Sequence, residues 1–254
     1  MIAFIKKIFR KTKYFSGPYK NWEIAQSKSA GYESIEIFEK VKISADKIKK
    51  TQRGYERDSI ILSDKEYDHN ILNILSNFLD KKDKVLNILD FGGSLGSLYF
   101  KYRKKINQKF NWSIIEQTKF VDEGIKNFQN DELNFFYNIE EYSAKHKVDI
   151  VLLSSSLQYL RNYEDVILKL IDLNPKYIII LKTPFSKRKI NEVFIQKPLK
   201  HIYKSTYPCW ILSYGYFLNI MEKKFVLENK TLTKPEFFQL SYYNLFFKKK
   251  NLNK

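Results

Sequence analysis

Residues Val85–Gly96 read VLNILDFGGSLG. Val85 to Asp90 is an apolar run broken only by Asn87, the pattern of a strand buried on both faces. Asp90 closes the run. Phe91-Gly92-Gly93-Ser94-Leu95-Gly96 then turns the chain into Ser97-Leu98-Tyr99-Phe100-Lys101-Tyr102, which reads as a helix. Strand, glycine turn and helix N-terminus together make a nucleotide-type site. Glycines let the backbone approach a ligand, and helix N–H groups point at it.

Elements alternate on both sides of this stretch. Tyr67 to Leu79 reads as a helix with Ile71, Leu72, Ile74, Leu75, Phe78 and Leu79 on its apolar side, and Asp80–Asp83 as a charged turn. Trp112 to Glu116 reads as the next strand, Phe120 to Phe128 as a helix, and Leu133 to Tyr137 as a third strand. Val148 to Leu153 is a fourth, running into Ser154-Ser155-Ser156. Leu157 to Leu160 opens a helical turn, Val166 to Leu173 continues helical, and Tyr177 to Leu181 is a fifth strand. The stretch 183–210 reads as irregular, punctuated by Pro184, Pro198 and Pro208. Leu218 to Lys224 reads as helical. Phe225–Glu228 and Ser241–Phe247 read as two late strands, antiparallel at a sheet edge. This order predicts an α/β fold: a doubly wound, mostly parallel sheet with helices on both faces. Ligands of such sheets bind beyond the carboxyl ends of the strands, where Gly92, Glu116, Asn138, Ser154 and Lys182 would gather.

Residues 12 to about 65 carry no strand pattern. Gly17-Pro18-Tyr19 reads as a turn, Trp22 opens a short helix, and Ile35 to about Lys50 forms another. The expected organisation is an N-terminal helical cap over 1–65, a main domain over 66–247 with 183–210 as a substrate-side insertion, and a basic tail over 248–254.

Spacing narrows the ligand. The dinucleotide fingerprint needs G-x-G-x-x-G, whereas Asp90, Gly92 and Gly96 give D-x-G-x-x-x-G, with Ser94 where a middle glycine might sit. No Gly-Lys-Ser/Thr follows, so this is not a P-loop. S-adenosylmethionine suits the turn better: it has no phosphates to cradle, and its amino-acid end is cationic. Asp90 would supply negative charge near the ammonium, and the N–H groups near Gly92 and Gly93 would reach the carboxylate. Glu116 lies 116 − 96 = 20 residues beyond the last glycine, where a carboxylate meets ribose hydroxyls. Either motif alone is as well read as ordinary structure; in order and at this spacing they favour a cofactor.

Composition bounds the rest. The chain has 254 residues, 44% hydrophobic and 16% aromatic, enough core for one full α/β domain with an appendage. Cys209 is the only cysteine, so no disulfide forms within the chain. With only His69, His146 and His201 beside it, no metal site is expected. This fits a reducing, cytoplasmic compartment. Formal net charge is +17, permissive of a polyanionic partner, though the lysines are dispersed and coding bias accounts for much of the excess. No window reaches the ~18 apolar residues of a membrane span. Ile2, Ile5, Ile8 and Phe9 in the basic segment 1–11 would share a helical face. That face is read first as docking on the protein's own body, and second as a peripheral contact at the inner face of the membrane.

The residues also resemble a known family: class I S-adenosylmethionine-dependent methyltransferases found among bacterial surface-polysaccharide genes. The match spans most of the chain. It runs through Gly17-Pro18-Tyr19 with Trp22, Leu89-Asp90-Phe91-Gly92-Gly93-Ser94-Leu95-Gly96 and Trp112–Glu116. It continues through Leu157-Gln158-Tyr159-Leu160, Lys182-Thr183-Pro184, Gln196 and Tyr207-Pro208. The segment around His201 departs from the pattern. The resemblance implies a seven-stranded Rossmann-like fold, Asp90, Gly92 and Gly96 at the cofactor's methionine end, Glu116 on its ribose, and a glycan or glycan-precursor acceptor. Gly93, Ser94, Asn138 and Ser154 complete the expected cofactor set. For a hydroxyl acceptor, Tyr159, Lys182, His201 and Tyr207 are the candidate bases or positioning groups near the strand ends. Tyr159 is equally read as a packing aromatic, His201 as a surface loop residue, and Cys209 as buried filler rather than a nucleophile. Two other readings stay open. A nucleic-acid methyltransferase rests on charge alone, and Ser154-Ser155-Ser156 stands where base-modifying enzymes often carry an Asn/Asp-Pro-Pro-aromatic box. The other is a non-catalytic binding protein that keeps the fold.

Overall fold

A computed structural model describes residues 14–31, 35–57, 59–63, 67–79, 85–199, 204–237 and 240–251. In chain order the elements are β1 (Phe15–Tyr19), α1 (Trp22–Ser27), α2 (Ile35–Thr51), β2 (Tyr55–Arg57), β3 (Ile60–Leu62) and α3 (His69–Leu79). Then come β4 (Leu86–Phe91), α4 (Ser97–Arg103), β5 (Phe110–Ile115), α5 (Thr118–Asn127), β6 (Leu133–Phe136), α6 (Ile139–Ser143) and β7 (Ile150–Ser154). A 3-10 turn at Leu157–Tyr159 precedes α7 (Tyr163–Asp172), β8 (Tyr177–Ser186), β9 (Glu192–Gln196), β10 (Tyr207–Ser213), α8 (Tyr214–Met221), β11 (Phe225–Phe237) and β12 (Leu240–Lys249). The chain divides into two compact units. One comprises Phe38–Leu153 and Asp172–Lys176; the other comprises Met1–Ile37, Ser154–Ile171 and Tyr177–Lys254.

The first unit is parallel α/β. β4 pairs in parallel with β5 (Asp90↔Ile114) and with β7 (Asp90↔Leu152), and β5 pairs in parallel with β6. Leu86, Ile88 and Leu89 are buried, as an apolar run covered on both faces requires. Around them pack Phe110, Trp112, Tyr99 and Phe100, with ring centroids 5.2–6.2 Å apart at steep angles. Each such ring buried contributes about 1.5–3 kcal/mol. Gly124 on α5 lies against the Phe135 ring, where a Cβ would come within 2.4 Å, so the helix and β6 pack unusually close.

The second unit is mostly antiparallel. β8 pairs antiparallel with β12, and β12 with β11. β8 also pairs in parallel with β10 at Leu212↔Phe185, β10 pairs antiparallel with β9, and β9 with β1. The α/β class with a mainly parallel sheet and antiparallel strands is as expected. The strand number departs from the seven implied: β1 and β4–β12 make ten, and β2 pairs separately with β3.

Several local expectations are corrected. Residues 12 to about 65 do contain strands: β1, β2 and β3. Gly17-Pro18 is part of β1, not a turn. Among the described residues β1 pairs only with β9, and an edge strand tolerates a proline. Gly17 is there because a Cβ would come within 2.9 Å of the Phe194 ring. The stretch 183–210 is not irregular either: β8 runs on to Ser186, and β9 and β10 form a regular antiparallel pair. Pro208 is accommodated because β8 joins β10 only at Leu212 and Ser213, leaving β9 as the partner there. β12 continues to Lys249, taking the first two residues of the expected tail. His201, the segment 1–11 and residues 252–254 lie outside the described residues.

Candidate functional site

Asp90, the last residue but one of β4, has a fully buried side chain. Its Oδ2 accepts a hydrogen bond from Trp112 Nε1 at 3.3 Å. Its Oδ1 has no partner among the described residues, and neither does the buried Ser94 Oγ. Leaving a buried acceptor unmatched costs about 1–3 kcal/mol, so two of them around one turn mark a place prepared for something else. The turn is shaped by left-handed backbone at Gly92 (φ +74°), Ser94 (φ +56°) and Gly96 (φ +94°), which caps α4. Gly93 needs no positive φ. It is glycine because a Cβ would stand 2.6 Å from Asp90 Cγ and 2.7 Å from Oδ2.

Glu116 follows β5, the strand paired with β4, so the two acids stand at neighbouring strand ends. Its Oε2 accepts from the Gln117 amide at 2.6 Å. Burial pushes the Asp90 carboxyl from 3.8 up to about 7, against the Trp112 indole, with the Glu116 charge adding to the rise. Burial likewise pushes Glu116 from 4.5 up to about 7, against the Gln117 amide. A cationic group beside them would favour the ionised form of both.

One expected donor is taken. The Gly92 N–H donates to the Ile115 carbonyl at 2.8 Å and serves the β4–β5 junction. Asn138 is exposed, and its Oδ1 caps α6 by accepting from the Glu141 amide at 2.8 Å. Ser154 is half-buried at the end of β7.

In the second unit, Ser155 (φ +56°) and Lys182 (φ +50°) are both left-handed. The Ser155 amide donates to the Leu181 carbonyl at 2.9 Å and the Lys182 amide to Asn244 Oδ1 at 2.9 Å. These bonds hold two conformations that cost about 1–2 kcal/mol each in non-glycine residues. Tyr159 Oη donates to Gln196 Oε1 at 2.9 Å, and the Tyr159 ring meets Tyr207 edge-on at 5.2 Å and 85°. Tyr159 and Tyr207 are therefore brought together. Cys209 is fully buried and its thiol is pushed up by burial, so it packs as filler.

Sequence reasoning missed Trp112 as the partner of Asp90, Gln196 as the partner of Tyr159, and Gln158, whose buried Oε1 has no partner among the described residues. Trp112 shares a face with Asp90 because Ile88 pairs with Trp112 and Asp90 with Ile114, a register that only the fold supplies. Among the described residues no acid, histidine and cysteine cluster could hold a metal, and no helix is long and apolar enough to cross a membrane.

No family model and no curated protein matches this chain. Solved structures do. The N-terminal domain of EvdMO1, determined in the presence of SAH and D-fucose, is 11% identical, with a TM-score of 0.54 over 86% of this chain and 100% of that one. An S-adenosylmethionine-dependent methyltransferase from Clostridium acetobutylicum ATCC 824 is 12% identical, with a TM-score of 0.45 over 72% and 92%. A 1,6-didemethyltoxoflavin-N1-methyltransferase from Burkholderia thailandensis is 11% identical, with a TM-score of 0.43 over 73% and 92%. The likeness to the EvdMO1 domain shows a shared Rossmann-like α/β fold.

Proposed function

We propose that this chain is an S-adenosylmethionine-dependent methyltransferase acting on a glycan or glycan precursor. The observation that carries the reading is the Asp90 turn: a buried acid with an unmatched oxygen and a neighbouring unmatched hydroxyl, beside a second acid at the end of the adjacent strand. These residues fit the cofactor. Asp90 would face its ammonium, Ser94 Oγ and the amides of Gly93 and Ser94 would serve its carboxylate, and Glu116 would take the ribose hydroxyls. Gly92 contributes shape rather than a donor, since its amide is engaged.

The bound sulfonium supplies an electrophilic methyl group. The protein must then align an acceptor hydroxyl and handle its proton. Tyr159, oriented by Gln196 and packed edge-on by Tyr207, is the positioning group, and Lys182 offers positive charge from a constrained backbone. A sugar acceptor is supported by the D-fucose present with the EvdMO1 domain, which has this fold. Calorimetry with S-adenosylhomocysteine on wild type, Asp90→Ala and Glu116→Ala tests the cofactor site. Binding is expected in wild type and weaker in both variants; one affinity shared by all three ends the assignment.

A further inference from the structure

Within the second unit, β1, α1, β9 and β10 enclose a cleft of about 550 Å³, inside the ~300–1,000 Å³ range of small-molecule sites. Its apolar wall is an aromatic platform. Trp22 and Trp210 stack with ring centroids 5.6 Å apart and planes at 29°, and Tyr19 packs beside them. Trp210 cannot swing away, because its Nε1 donates to the carbonyls of Leu160 (3.0 Å) and Arg161 (3.3 Å). The polar side carries the exposed Glu23–Arg161 ion pair (2.5 Å) and exposed Asn162.

The charges select the ligand. Of the charges at the cleft, Glu23 is paired with Arg161 and Glu192 with Arg188 (2.6 Å), which leaves Lys20 beside two closed ion pairs. A phosphate or polyanion would have to compete with Glu23 and Glu192 for the arginines they already hold. A purely apolar ligand would leave the amides and the ion pair desolvated and unmatched. A neutral polyhydroxylated ring satisfies both halves: its C–H face lies against the half-buried Trp210 and Tyr19, with buried Trp22 stacked behind Trp210, and its hydroxyls reach planar amide, carboxylate and guanidinium groups.

The cleft is distinct from the Tyr159–Gln196–Tyr207 cluster. β9 and β10 pair without interruption from Tyr207↔Gln196 to Ile211↔Glu192, so Tyr207 and Trp210, three residues apart, project from opposite faces. Packing agrees. Val193, Ile195 and Trp210 join the cluster of Trp22 and Ala25, whereas Phe194 and Ile211 join that of Leu240.

We propose that this cleft is a second glycan-binding site, taking an uncharged pyranose against Trp210 and Tyr19, with Trp22 stacked behind Trp210 as support. The inference does not depend on the methyl-transfer reading. The test is saturation-transfer NMR on the full chain, without cofactor, against the methyl glycosides of D-glucose, D-galactose, D-mannose and D-fucose. Saturation is expected on the ring C–H protons of at least one glycoside. Both Tyr19→Ala and the surface double variant Arg161→Ala/Asn162→Ala, each checked for native circular dichroism, should weaken binding about fivefold, the effect of roughly 1 kcal/mol. No saturation with any glycoside, or affinity unchanged in both variants, overturns the site. Displacement by millimolar inorganic phosphate overturns the neutral class of ligand. Failure of cofactor binding elsewhere leaves this result standing.

Discussion

Replacing Asp90 by Asn should make the protein more stable and a poorer binder of cofactor as pH approaches and passes neutrality, and less stable at acid pH. The wild-type carboxyl is fully buried and raised from 3.8 to about 7. An acid whose folded value lies above its unfolded value holds its proton more tightly when folded. Its contribution is therefore full below about pH 4, is lost as pH rises toward about 7, and stays lost above that. About 3 units at ~1.4 kcal/mol each comes to ~4 kcal/mol of stability forgone at pH 8. Asn keeps the side chain's shape and an acceptor for Trp112, but buries an amide N–H₂ with no partner, at about 1–3 kcal/mol. The ionisation effect wins at pH 8, leaving the variant ahead by roughly 1–3 kcal/mol, or about 2–4 °C in Tm for each kcal/mol. At pH 4 the order reverses, because only the amide cost remains. Thermal melts at both pH values, with S-adenosylhomocysteine calorimetry alongside, read this out. Wild-type affinity should rise about fivefold from pH 6 to pH 7, as the ionised fraction climbs from about a tenth to about a half, and the variant should be weaker with less pH dependence. A variant that melts below wild type at pH 8, or by the same margin at both pH values, refutes the account of Asp90 as a carboxylate held at a cost for a cation.

Gly124→Ala sets helix propensity, about 1 kcal/mol in favour of Ala, against a Cβ within 2.4–2.6 Å of the buried Phe135 ring. Overpacking at ~1–3 kcal/mol should prevail and lower the urea midpoint; a higher midpoint would show that the ring yields freely. Tyr159→Phe removes the bond to Gln196 and should cost only about 1 kcal/mol of stability, yet lower kcat for methyl transfer about 100-fold with adenosylhomocysteine affinity unchanged. Unchanged kcat would remove Tyr159 from the acceptor site. Lys182→Gly relieves about 1 kcal/mol of left-handed strain that Lys182→Ala retains, while both delete the ammonium. Equal loss of activity in the two, with Tm raised only in the glycine variant, assigns the role to the charge.

What could be read from the residues divides according to where each constraint originates. β4 and the turn after it were legible because their causes are local: an apolar run for the strand, and left-handed φ at Gly92 and Gly96 for the bend. Gly93 looks like the same signal but has a different cause, the Asp90 carboxyl folded back against it, which shows only once that side chain is placed. Gly17 carries the same ambiguity with the opposite result. Beside Pro18 it reads as a turn, but a positive φ (+142°) within the strand and a ring 177 positions later, at Phe194, are what exclude a side chain there. β9 and β10 were lost for a related reason. Proline is a breaker only where its missing N–H is needed, and that depends on which neighbour lies on which side. The candidate site inherits the same division. Asp90 and Glu116 could be named from spacing along the chain, but Trp112 enters through the β4–β5 register and Gln196 through a contact with Tyr159 across 37 positions. Residues that make a ligand's environment are thus less legible than those that bend the backbone to meet it, because the former are chosen by partners the chain brings together only on folding.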